Sequence, residues 1–141
     1  MKRILLLCLL TLQLWSAEAV AVLESQKNEV GIRRGSSVIT PQAGREELYR
    51  GDILYTGKEG ALSIVFNDGS TVALGHKSLL KIDDYLFEPS QKNYRLDLSL
   101  NEGSAIVETG KIGKLSPESV TFRVPEGTIG VRGTRFFVKV H

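Results

Sequence analysis

Cysteine is almost missing from this sequence, since the single one, Cys8, lies inside the apolar stretch that opens the chain. A product without that stretch has no thiol, which excludes disulfides and thiolate metal sites and suits an oxidising compartment. Histidine is scarce too. His76 falls in a turn pattern and His141 is the last residue, and neither has metal-ligand spacing or a Ser–Asp arrangement beside it. No Gly-x-Ser-x-Gly elbow occurs. Charge of one sign is also lacking: 18 Lys and Arg stand against 16 Asp and Glu. With no concentrated basic field, nucleic acid is not expected as a partner. No apolar run after Val20 is long enough to span a bilayer, because charged or turn-forming residues break every one.

What is present begins with a leader pattern. Lys2 and Arg3 are followed by an apolar run from Ile4 to Leu14, then by Trp15-Ser16-Ala17-Glu18-Ala19 with small residues at Ala17 and Ala19. That is the layout of a secretory signal peptide cut after Ala19, with Ala21 as the alternative site. The run is too short for a retained anchor, which needs about 20 residues. Cys8 is not at the cleavage point, so lipid attachment is not expected. Cleavage leaves 122 residues, Val20 to His141, with the formal charge reduced from +2 to +1 by loss of Lys2, Arg3 and Glu18. A chain of that length makes one domain with its own core. No tail or second domain is expected after His141.

The body of the chain reads as short strands. Tyr94, Leu96, Leu98 and Leu100 alternate with polar residues, as do Val120, Phe122 and Val124, and again Phe136, Val138 and Val140. Period-two patterns mark strands with one dry face. Asp68-Gly69 between Leu62–Phe66 and Ser70–Leu74 predicts a hairpin. A two-residue turn there pairs Asn67 with Ser70, Val65 with Val72 and Ile64 with Ala73, putting apolar side chains on both faces. Ile53 with Tyr55, and Val38 with its neighbours, read as shorter strands. Leu79, Ile82 and Leu86 fit a helix, Leu80 and Ile82 a strand, and Pro89 ends either. Lys111 to Glu118 reads as an exposed loop. Gly35, Gly69 and Gly103 begin similar Gly-Ser strands at 34-residue intervals, which fits either stacked β layers or ordinary turns. The fold class expected is all-β, a solenoid-like or sandwich-like stack of short antiparallel strands.

Several motifs have plainer readings. Arg50-Gly51-Asp52 spells an adhesion tripeptide, but Gly51-Asp52 also suits a turn entering a strand. Gly127, Gly130 and Gly133 lack the following helix of a phosphate cradle and fit close backbone packing. Arg132 and Arg135 beside them fit a surface or a hydrogen-bonding fork. Asp83-Asp84 fits a solvated turn better than a calcium site. The scattered carboxylates show no catalytic pair.

The order of these segments resembles the FecR domain. Gly51-Asp52 enters a strand, Asp68-Gly69-Ser70 joins two more, and Ser78 to Ile82 comes after them. Asn101-Glu102-Gly103-Ser104-Ala105 comes next, then the closing run Val124-Pro125-Glu126-Gly127 through Val131-Arg132-Gly133-Thr134-Arg135-Phe136-Phe137-Val138. The match extends from Glu29 to Val140. The resemblance implies a β-rich domain outside the cytoplasm in which Gly51, Asp52, Asp68, Gly69, Gly103, Pro125, Gly127, Arg132, Gly133, Thr134 and Phe136 are structural motif positions. It also implies signalling, since family members sense an outer-membrane receptor and control a sigma factor. This sequence lacks a sigma-binding segment, a mature membrane span and the further C-terminal portion. The function expected is therefore a non-enzymatic binding, assembly or signalling module that contacts an envelope protein in the periplasm or at the cell surface, with no cofactor and no metal. The alternative is a peptidoglycan- or polysaccharide-binding protein using Tyr49, Tyr55, Tyr85 and Tyr94 as exposed platforms. A hydrolase ranks last, for want of a nucleophile and base.

Overall fold

The computed structural model describes residues 17–131 and 133–141. The leader run from Lys2 to Ser16, Cys8 included, lies outside the described residues, as does Arg132.

The described residues form twelve strands. β1 (Ala21–Lys27), β2 (Val30–Arg34), β3 (Ser37–Ile39), β4 (Glu47–Leu48), β5 (Ile53–Thr56), β6 (Ala61–Phe66), β7 (Thr71–Leu74) and β8 (Leu79–Glu88) come first. β9 (Asn93–Glu108), a short helix α1 (Lys111–Leu115), β10 (Val120–Val124), β11 (Gly127–Gly130) and β12 (Arg135–Val140) complete the chain. They make one sheet curled into a half-barrel, with β9 running through both of its wings. One wing runs β4-β1-β6-β7-β9-β12 and the other β3-β2-β5-β8-β9-β10-β11. Every described pairing is antiparallel except β9 with β10.

The long β9 serves two wings because its pleat is interrupted. Leu96, Leu98 and Leu100 point into the core, but past Gly103 the buried residues are Ala105 and Val107. An extra residue near Asn101, where Leu79 pairs Glu102 but Leu80 pairs Leu100, switches the face. Such a bulge bends and twists the strand, turning its second half into the other wing. β8 behaves likewise. Leu80 and Ile82 are buried, the register slips at Asp83, and Tyr85 is then buried. That slip is why the apolar spacing of residues 79–86 fits a helix as well as a strand.

The inner faces of both wings share one core, from Val20, Ala21 and Leu23 through Leu54, Ile64 and Leu98 to Phe122 and Val138. Phe66 of one wing stacks on Tyr85 of the other at 5.1 Å, and Phe122 meets Phe136 edge-on at 5.6 Å.

Two expectations are corrected. The β6–β7 hairpin pairs Val65 with Thr71 and Ile64 with Val72, one residue off the expected register. Phe66 N–H bonds the Ser70 carbonyl, so the loop has three residues, Asn67 to Gly69. This puts Leu62, Ile64, Phe66, Val72 and Leu74 together inside, leaving Ser63, Val65, Thr71 and Ala73 half-buried outside. The hairpin is interior through its hydrogen-bonded neighbours β1 and β9, not through two dry faces. The segment 111–118 is not a plain exposed loop either. It holds α1 and the start of a 3-10 turn (Pro117–Ser119), with Ile112 fully buried and Ser116 nearly so. Its polar composition conceals a single anchoring isoleucine.

Candidate functional site

The motif residues sort into three hydrogen-bonded clusters and one open flank. The first cluster centres on Asp52, which has no exposed surface. Arg34 grips its carboxylate with two bonds, Nε to Oδ1 at 2.9 Å and Nη2 to Oδ2 at 2.8 Å. Tyr49 N–H supplies a third at 2.9 Å. The Arg34 guanidinium also lies over the Tyr49 ring at 4.6 Å and donates to the Glu47 carbonyl. The Asp52 hydrogen bond holds the Arg34 guanidinium above its ordinary range. Gly51, at φ +87°, makes the turn before it. This geometry disposes of the adhesion reading, because a receptor cannot reach a carboxylate sealed under an arginine.

The second cluster centres on Asp68, 2 % exposed. One carboxylate oxygen accepts from the Tyr85 hydroxyl at 3.0 Å and from Ser70 N–H. The other accepts from the Ser70 hydroxyl at 2.7 Å and from Ile112 N–H at 3.0 Å. Tyr85 Oη in turn accepts the Asp68 N–H at 2.8 Å. Gly69 supplies the positive φ of the turn. Asp68 thus ties the β6–β7 hairpin to β8 and to the start of α1. Burial first, then the neighbouring carboxylate, holds the Tyr85 phenol far above its ordinary range. Sequence reading missed both partners, Arg34 and Tyr85, because nothing local links residues 18 and 17 positions apart.

The third cluster closes the corner where β9 changes wings. Gly103 has φ +86°, and a Cβ there would lie 2.5 Å from Ser78 Cα and 2.7 Å from the Lys77 carbonyl oxygen. Ser104 N–H donates to Ser78 Oγ, Ser78 N–H to Thr56 Oγ1, and Thr56 Oγ1 to the Gly75 carbonyl.

The open flank carries the closing motif. Pro125 and Gly127 shape the exposed β10–β11 turn, and Gly127 adopts φ +148°. Gly133, at φ +91°, precedes β12, and the Thr134 carbonyl accepts from Thr109 N–H at 2.8 Å. Phe136 is half-buried against Phe122. The glycines lead into a strand, so no helix N-terminus is present to cradle phosphate. A family model described as FecR protein matches residues 52–141, well over half the chain.

The chain belongs to the FecR family. No curated protein and no solved structure matches it. The matched segment of this FecR domain opens on the sealed Asp52, yet the folded unit begins earlier. Val20, Ala21, Leu23, Ile32 and Leu48, all before the match, are core residues. Elsewhere on the FecR domain, Asp84 bonds Arg95 at 2.6 Å, which holds its carboxyl below the usual carboxylate range. Asp83 bonds the Ser99 hydroxyl and lies 3.9 Å from Arg123. The acidic pair is thus engaged by side chains of the same sheet, and no group of metal-ligating residues forms among the described residues. His76 and His141 are both exposed. Of the four tyrosines expected as sugar platforms, Tyr85 is 3 % exposed and buried in the core. One face of Tyr49 is covered by Arg34, Tyr55 lies against Gly31, and Tyr94 packs on Phe87.

Proposed function

We propose that this FecR domain works outside the cytoplasm as a non-enzymatic module that binds a protein of the cell envelope, with signalling as the use that family membership supports. The observation that carries this reading is the family match over residues 52–141, in which the motif carboxylates face inward. Asp52 and Asp68 hold strands together, and among the described residues no buried side-chain polar atom lacks a hydrogen-bond partner. Acids fixed in this way stabilise a scaffold and present no reactive group to a substrate. The leader pattern supports export, and no helix among the described residues is long and apolar enough to cross a membrane.

The test is crosslinking in intact cells that express the chain with its own leader. The expected result is a shortened product in the envelope fraction joined reproducibly to one protein. Unprocessed protein in the cytoplasm, or no reproducible partner, overturns the reading. Sedimentation with purified cell wall in place of a protein partner favours the polysaccharide alternative instead.

A further inference from the structure

The protein-binding reading leaves the contact surface unassigned, and the wings of the sheet differ in how their edges are finished. The outer strands β4, β3 and β11 have two, three and four residues, and β11 has glycine at both ends. Short edges resist pairing with other chains. β12 is different: six residues in unbroken register with β9, no bulge and no proline. Among the described residues only β9 pairs with it. Past β9, one wing continues for two strands, β10 and β11, and the other for β12 alone. Ile129 on β11, level with Phe122, stays half-buried at this flank.

The chemistry of β12 selects what pairs with it. Its outward face carries Arg135, Phe137 and Lys139, and Phe137 is 64 % exposed. Phe137 stands level with Ile106, itself 37 % exposed, and Arg135 with Glu108. Among the described residues neither Arg135 nor Lys139 forms an ion pair. A second copy pairing antiparallel about Phe137 would set Arg135 against Lys139. Like charges directly opposite are destabilising, so the cations oppose self-pairing while favouring an acidic strand.

We infer that the open edge of β12 takes up an extended segment of a partner protein by strand addition, with carboxylates opposite Arg135 and Lys139 and an apolar side chain opposite Phe137. This rests on the protein-binding reading above and names its surface. β9 already meets β12 in that manner, with Glu108 and Ile106 opposite Arg135 and Phe137.

The probe, the Glu–Val peptide, is a synthetic nine-residue peptide with Glu at its third and seventh positions, Val at its fifth and Thr elsewhere. Both carboxylates and the valine then share the face that meets Arg135, Lys139 and Phe137. In its Lys–Val counterpart Lys replaces both Glu. Controls are a Lys–Val peptide and the Glu–Val peptide with every backbone amide methylated. Binding is read from amide shifts and hydrogen exchange of the full mature chain. The Glu–Val peptide is expected to shift and protect β12 amides, and an R135E/K139E variant to weaken this about tenfold. The methylated peptide should not bind, and the Lys–Val peptide should bind the reversed variant only. Arg135→Glu sets a carboxylate opposite Glu108, so a small loss of melting temperature is expected, and retained hydrogen-exchange protection of the β9–β12 pairing confirms that the variant is folded. Silent β12 amides, equal binding of both peptides, or a dimer paired through β12 each overturn the inference. A cellular partner captured equally by wild type and R135E/K139E overturns the edge but leaves the protein-binding reading standing. Peptide binding at β12 with no cellular partner does the reverse.

Discussion

Asp52 is a charged residue without exposed surface, and it is tolerated because three donors meet its two oxygens. Removing one partner of such a pair leaves the other charge unanswered. Asp52→Ala is therefore expected to cost about 2–3 kcal/mol in urea unfolding, below the fully buried range because the Arg34 side chain is 36 % exposed. Tyr85 gives a prediction with a pH signature. Its folded-state phenol is held above its unfolded value, so the stabilisation is complete below the unfolded value of about 10 and is lost as pH rises beyond it. Wild type should destabilise steeply above about pH 10, and Tyr85→Phe should lack that slope. At neutral pH the same variant should be weaker by roughly 1–3 kcal/mol, since Asp68 loses a donor and its N–H loses an acceptor. An alkaline limb unchanged in Tyr85→Phe would refute the assignment. Neither Arg34 nor Tyr85 could be read as a partner from sequence. Ion pairing and hydrogen bonding across wings depend on which strands become neighbours, and composition does not encode that.

Among the elements, glycines of equal φ differ in what surrounds them. Gly69 and Gly103 both lie near φ +87°, but a Cβ on Gly69 would enter open space while one on Gly103 would run into the Ser78 backbone. Gly69→Ala should cost only the conformational strain, about 1–2 kcal/mol. Gly103→Ala adds a packing clash, for a total of roughly 2–5 kcal/mol. Equal melting temperatures for the two variants would show that the β9 corner is softer than this geometry implies. The 34-residue echo thus joins unlike elements: Gly35 and Gly69 sit in hairpin turns and Gly103 sits within a strand. Strands with an unbroken pleat, such as Tyr94–Leu100 and Phe136–Val140, were legible because alternation alone describes them. The apolar spacing of β8 fits two periods, and a two-residue turn predicts the β6–β7 register one residue off. A bulge breaks the period in the first, and in the second the Asp68 carboxylate holds a three-residue loop.

At the scale of the whole molecule, the amino-terminal strand lies between β6 and β4 and is not a frayed end. Val20 N–H donates to the Leu48 carbonyl at 2.8 Å, Asn67 N–H bonds the Val20 carbonyl, and Val20 and Ala21 are buried. Cleavage after Ala21 would delete both. We expect mass spectrometry of the exported product to give Val20 as its first residue, and a chain starting at Val22 to be less stable by about 1.5–3 kcal/mol for the lost valine alone. An exported product that begins at Val22 with undiminished stability would contradict this. By itself the sequence determined the all-β class, most strand positions and the family. Those rest on local alternation, turn chemistry and linear motifs, which survive without knowledge of neighbours. Only the tertiary structure decided that the motif acids are sealed, that β9 changes wings at Gly103, and that among the described residues β12 keeps an open edge. Each of these depends on contacts between residues far apart in the chain, and such contacts exist only once the sheet has curled around one core.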